Sequence, residues 1–390
     1  MKNHKYNYKP PKAWKKKKST LKRNKTSLLP MLKGDMSSKR KERMMKLSTG
    51  KSATWKLPSA LIIASLMVII LVIPTLIVLP DSSHDDQQMT IQTDNEPDPD
   101  NTVELSAGDS PFSVEVMRAS SDKVEDVPLE TYVTRVVASE MPVDEFELEA
   151  LKAQALAART YIVDLLLHKD QTDKPDVTDT TANQVYSNEA ELRKQWGNEF
   201  NQNMSKVKEA VAATKGEILT YENAPIFPAF FSTSNGYTEN SEDYWENELP
   251  YLRSVKSPWD KKSPKFLDQK VIAISEVEKL LGVDLGNDIA AKITRTDSNR
   301  VDKLTIGGKE FTGRDIREKL QLRSTDFTIE QKSDHLIFKT KGFGHGIGLS
   351  QYGANGMAKN GKTYKDIVTH YYQGVKISEV TETAPTLVAK

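Results

Sequence analysis

The chain has 390 residues, 37% hydrophobic and 28% charged, a balance that excludes an unfolded polyelectrolyte and suits one or two globular domains. It holds no cysteine, which excludes disulfides and thiolate-bound metals. The net charge of +1 hides a division: residues 1–56 carry 19 Lys and Arg against Asp35 and Glu42, and subtraction from the totals of 55 and 54 leaves 36 basic and 52 acidic residues beyond.

In chain order, residues 1–56 are expected to form a basic cytoplasmic tail. Its run KAWKKKKSTLKRNK has the composition of a phosphate-neutralising segment. Beside a membrane span, however, such a run reads as an orientation signal that also rests on anionic lipid, so no nucleic-acid partner is expected. Residues 57–80, LPSALIIASLMVIILVIPTLIVLP, hold no charged side chain. As a helix they are long enough to cross a hydrocarbon core of about 30 Å. Pro80 leads into Asp81 without the small-residue pattern of a signal-peptide cleavage site, so the span is expected to remain as a single transmembrane helix. The basic side stays in the cytoplasm, which places the C-terminal part outside. Residues 81–108 are acidic, poor in aromatics and broken by proline, the composition of a solvated linker.

Residues 109–380 are expected to form one extracytoplasmic domain, followed by a short tail at 381–390. FSVEVMRA, EILTYE, AKITRT, VDKLTI and HLIFKT alternate as half-buried strands, with turn signals between several of them. Leu148, Leu151, Ala155, Ala158, Ile162 and Leu165 form one apolar helical face, and Asp144 with Glu147 has the spacing of a capping box before it. Ser275 with Glu278, and Thr363 with Asp366, mark two further helix starts that Gly282 and Gly374 can end. Hairpins with interspersed helices predict an α+β fold, enclosing a substrate cleft and preceded by one transmembrane helix.

Leu129, Tyr132, Val133, Val136 and Val137 share a helix face that Pro142 must stop, so Glu140 falls in the last turn. Unpaired carbonyls and desolvation there disfavour the charged carboxylate and raise its pKa. That is what a general acid needs near neutral pH, although an exposed glutamate on a helix end fits the same pattern. In KGFGHGIGLSQYGANG (341–356) four glycines alternate around Phe343, His345 and Ile347. The strand before them belongs to a hairpin and not to a β-α-β unit, so a dinucleotide loop is not expected. Backbone packed closely against a ligand or another strand fits better. His345 is either a reachable hydrogen-bonding group or a structural histidine, and it has no neighbour at metal-ligand spacing. Gln351, Tyr352 and Asn355 are suited to a groove for sugar hydroxyls. In FPAFFSTSNGYTENSEDYW (227–245) aromatics lead into Ser232, Thr233, Ser234 and Asn235, and aromatic faces beside short polar groups suit carbohydrate. No nucleophile elbow is present for serine catalysis.

Three stretches, PLETYVTRVVASEMPVDEFELEALKAQALAARTY, FFSTSNGYTENSEDYW with PYLRSVKSPWD, and KGFGHGIGLSQYGANGMAKNGKTYKDIVTHYYQGV, resemble the stage II sporulation protein D family of endospore-forming bacteria. Order and spacing agree over roughly residues 110–380, including GGKEFTGRDIREKLQLRSTDF. The resemblance implies a membrane-anchored lytic transglycosylase that acts during forespore engulfment on peptidoglycan strands already stripped of peptides. It implies the amidase stage II sporulation protein P and the membrane protein stage II sporulation protein M as partners, and residence in the mother-cell engulfing membrane. It puts Glu140 at the family's catalytic glutamate. Ser232, Ser234, Asn235, His345, Gln351 and Tyr352 are the substrate-binding expectations. Some relatives bind zinc through Cys and His near the aromatic strand; neither type occurs in FFSTSNGYTEN, so no metal and no cofactor are expected. Asp144, Glu145 and Asp243 are the candidates for a second carboxylate, and each also fits as a cap or surface charge. Lys152, Gln154, Arg159 and Tyr161 follow on the next helix, Arg159 fitting an ion pair better than a ligand contact. The rival expectation is a glycan-binding amidase enhancer, which needs the groove but not the ionisation of Glu140.

Overall fold

The computed structural model describes residues 110–169, 175–245, 247–286 and 289–388. The expected basic tail, membrane span and acidic linker (1–56, 57–80, 81–108) lie outside them. Among the described residues no helix is long and apolar enough to cross a membrane.

The fold is α+β, with sheets that are mainly antiparallel. β1 (Ser113–Arg118) and β2 (Lys123–Pro128) form a hairpin, and helix α1 (Leu129–Glu140) follows directly. Met141 is extended and Pro142 has no N–H to give, so α1 stops where the sequence predicts. Helix α2 (Leu148–His168) runs through the centre of the domain. Its alanine-rich sequence is buried on nearly every side, a wider burial than the single apolar face read from periodicity. Leu151, Leu156 and Ile162 are fully buried, each worth about 2 kcal/mol of transfer free energy. The Asp144–Glu147 box does not form: Glu147 itself is the N-cap, without a side-chain cap, and its N–H donates to Asn355 Oδ1 at 2.8 Å.

After β3 (Val177–Thr178) come helices α3 (Glu189–Trp196) and α4 (Phe200–Ala212), then β4 (Glu217–Tyr221), β5 (Ala224–Pro225) and β6 (Phe230–Phe231). A second lobe is inserted between Phe266 and Gly342, whose N–H donates back to the Phe266 carbonyl at 2.7 Å. It contains β7 (Leu267–Ala273), α5 (Ile274–Leu281), the meander β8 (Ala291–Arg295), β9 (Val301–Ile306) and β10 (Lys309–Thr312), helix α6 (Gly313–Lys319), and the hairpin β11 (Asp326–Lys332) and β12 (His335–Lys341). Its core gathers Leu304, Ile316, Phe327 and Leu336. Gly282 ends α5 in the left-handed conformation as expected, whereas Ser275 lies inside the helix and does not cap it.

The chain then returns through β13 (Leu349–Ser350) into helices α7 (Gln351–Lys359) and α8 (Tyr364–Tyr371), and β14 (Lys376–Glu379) closes on β4. The Thr363–Asp366 capping box is formed in full. Two short pairs, β1 with β3 and β6 with β13, are parallel. The second pair explains the glycine alternation: this segment lies against the aromatic strand. A Cβ on Gly348 would sit 2.1 Å from the Ala229 carbonyl oxygen, and φ there is +75°. Gly348→Ala should therefore lower stability by about 2–5 kcal/mol, measured by chemical denaturation. An unchanged midpoint would show that the two segments part easily.

Candidate active site

Glu140 is the last residue of α1, and its side chain is half-buried. One carboxylate oxygen accepts the Val185 N–H at 2.8 Å. Among the described residues its other oxygen has no hydrogen-bond partner and is not sealed from solvent. Burial pushes the pKa of Glu140 up, and the Val185 hydrogen bond opposes that only in part.

The loop 183–186 holds this carboxyl group in place. Asn183 donates to the Tyr161 hydroxyl at 3.0 Å, and the Tyr132 hydroxyl donates to Gln184 Oε1 at 3.1 Å. Tyr132 lies within electrostatic reach of Glu140 and of Tyr161, and burial raises the pKa of each phenol. Two buried amides have unused groups: Gln184 Nε2, and both polar atoms of Gln154, two turns before Tyr161 on α2. Tyr132→Phe should cost about 1–3 kcal/mol, because Gln184 then loses its remaining partner. It should also lower activity as the loop slackens, and a thermal melt beside a rate assay measures both.

Gln351, at the start of α7, donates from Nε2 to the Glu140 carbonyl at 3.3 Å, which ties the third stretch to the first. Tyr352 stands next to it, half-buried, edge-on to Phe146 with ring centroids 4.9 Å apart. A hollow of about 230 Å³ opens beside Tyr352 and is lined by Trp259, Asn355, Lys262 and Lys359 among others. The larger hollow of about 590 Å³ lies on the second lobe, between Leu267, Arg295 and Lys339, and contains none of the residues around Glu140. Glu140 itself lines neither hollow; the smaller one adjoins Tyr352, the sequence neighbour of Gln351.

The remaining expected groove residues divide into two sets. Ser232 is half-buried, and its carbonyl accepts the Tyr352 N–H at 3.0 Å. His345 lies among Phe231, Tyr244 and Trp245, with ring centroids 5.3–6.1 Å away. Its Nδ1 accepts the Ile347 N–H at 3.0 Å. Burial and then the nearby guanidinium groups hold its pKa down to about 3, so it is neutral and serves as a ring in an aromatic box. Ser234 and Asn235 are turned into the scaffold. Ser234 is 0% exposed and donates to Asp260 at 2.7 Å, while the Asn235 amide binds the Ser298 carbonyl and Asp326 of the second lobe. Asp260 also accepts from Ser257 and Ser350, so this buried cluster joins the aromatic strand to the start of α7.

Asp144, Glu145 and Asp243 are exposed and none hydrogen-bonds Glu140; Glu145 faces Tyr352, and Asp243 accepts from Asn240. Lys152 pairs with Glu149 at 2.6 Å. Arg159, fully buried, grips both oxygens of Glu130 at 2.6 and 2.9 Å, the ion-pair role its sequence position suits. Sequence reasoning missed the loop 183–186, whose only signal is an Asn-Gln pair in a stretch without periodicity. Among the described residues no three His, Asp or Glu side chains gather as a metal site.

The stage II sporulation protein family model, SpoIID, matches residues 117–221, which include Glu140 and the loop that pins it. The chain is 49% identical to stage II sporulation protein D of Bacillus amyloliquefaciens over 345 residues, covering 85% of this chain and 99% of that one. It is 48% identical to stage II sporulation protein D of Bacillus subtilis strain 168, covering 82% and 95%. It is also 30% identical to the amidase enhancer of Bacillus subtilis strain 168, over 62% of this chain and 40% of that one. With near half of its residues shared along almost the whole length of two such relatives, the chain belongs to the stage II sporulation protein D family.

Proposed function

We propose that the protein is a membrane-anchored lytic transglycosylase that cuts peptide-free peptidoglycan strands during engulfment, with Glu140 as its acid and base. The observation that carries this reading is the state of Glu140: one oxygen pinned by Val185, the other open, and the pKa raised by burial. Glycoside hydrolysis ordinarily needs two carboxylates, and none hydrogen-bonds Glu140 here. One suffices for an intramolecular displacement. Protonated Glu140 gives its proton to the bridging oxygen as the bond from that oxygen to muramic C1 breaks. The carboxylate then takes the proton of the same sugar's C6 hydroxyl, and the C6 oxygen bonds to C1. The products are a 1,6-anhydromuramic end and a free hydroxyl, and Glu140 is again protonated.

Gln351, Tyr352, Ser232 and the aromatic box around His345 border the strand in this reading, while Ser234 and Asn235 hold the floor. Stage II sporulation proteins P and M and the mother-cell membrane are its proposed partners and location. The second reading, a glycan-binding amidase enhancer, is favoured by the likeness to the Bacillus subtilis protein of that name. Mass spectrometry of peptide-free strands incubated with the protein separates the two: anhydromuramic ends support cleavage, and intact but bound strands support the enhancer.

A further inference from the structure

A row of cations runs along the aromatic side of the groove. The Phe343 ring has Lys265 Nζ at 5.9 Å and the Arg323 guanidinium at 5.4 Å, and Lys265 Nζ is also 5.4 Å from the Tyr352 ring. Arg317 donates to the Arg323 carbonyl at 3.3 Å and to the Tyr244 hydroxyl at 2.9 Å, and Tyr244 belongs to the box around His345. The row thus links that box to Tyr352, next in sequence to the Gln351 that touches Glu140.

Its charge is incompletely balanced. Asp268 lies 3.5 Å from Arg323, and Glu318 pairs with the neighbouring Arg314. Among the described residues, Lys265 and Arg317 have no carboxylate within ion-pair distance. Glu145, at the Tyr352 end, accepts from the Tyr352 hydroxyl at 3.5 Å. Cations set over half-buried aromatic rings suit a ligand that offers apolar ring faces and carboxylates in alternation. Neutral sugar alone would leave the cations unanswered.

We propose that Lys265, Arg323 and Arg317 recognise the free lactyl carboxylate of peptide-free muramic acid and so select stripped strands, an inference that rests on the glycan reading of the Glu140 site. In a strand that keeps its peptides the same lactyl carbonyl is an uncharged amide and a bulky branch point. The row then loses its counter-charge.

The test measures binding by titration calorimetry, using the full-length protein in detergent with Glu140→Gln so that strands stay whole. The ligands are peptide-free strands and the same strands with their lactyl carboxylates converted to methyl amides. Amidation should weaken binding about tenfold, the scale of one lost charge-assisted contact. Lys265→Gln with Arg323→Gln should weaken binding of the native strands similarly and erase the discrimination. Lys265→Arg should keep it, and melting curves confirm that each variant is folded. Equal binding of both ligands, or discrimination that survives the double substitution, overturns the proposal. Cleavage by the parent protein is scored separately. Discrimination without anhydromuramic ends sinks the transglycosylase reading alone, and equal cleavage of native and amidated strands sinks the carboxylate reading alone.

Discussion

Glu140→Gln is expected to lower the release of anhydromuramic ends by about 10²–10⁴-fold while strands still bind, because the amide keeps the shape but cannot cycle a proton. The pH profile follows from the same group. The first step needs the protonated acid, so activity should fall as pH rises through the raised Glu140 pKa. The same shift makes a stability statement. Burial favours the neutral carboxyl, so its contribution is fully present below the ordinary value of 4.5 and is lost as pH rises through the folded pKa. Glutamine mimics the neutral form at every pH. The variant should therefore melt above the parent at neutral pH and level with it well below 4.5. A variant that melts lower at neutral pH would mean that the Val185 hydrogen bond outweighs burial.

The second large effect lies away from the chemistry. Arg159→Met leaves Glu130 buried at 2% exposure without its bidentate partner, and should cost about 3–5 kcal/mol of stability in urea unfolding. Arg159 also donates to the Glu217 carbonyl at 3.1 Å, so the start of β4 loses an anchor with it. Adding Glu130→Met removes the orphaned charge and should restore much of the loss. A single variant within 1 kcal/mol of the parent, on the order of a surface pair, would show that water reaches Glu130.

The helix carrying Glu140 was legible because two local rules meet there. An apolar face recurs at helical spacing, and Pro142 forbids continuation. The strands of the second lobe were legible for a similar reason: alternation in VDKLTI and HLIFKT records one buried face. The glycine run was legible as a place of close approach, and its partner was not. That partner is the aromatic strand more than a hundred residues earlier, and only β6–β13 pairing reveals it.

What the sequence by itself determined is the family, the α+β class and the end of α1 at Glu140. These follow from local spacing and from motifs that lie close together in the chain. Tertiary structure alone decided which groups surround that carboxylate. Val185 reaches it from a loop without periodicity, and Gln351 reaches the backbone carbonyl of the same residue across more than two hundred residues. It also decided that Ser234 and Asn235 face inward and that Lys265 and Arg323 meet at Phe343. The physical reason is that hydrogen bonds and charge contacts between distant segments leave no period in the chain. A short polar residue on a turn reads the same whether it faces a ligand or a buried aspartate.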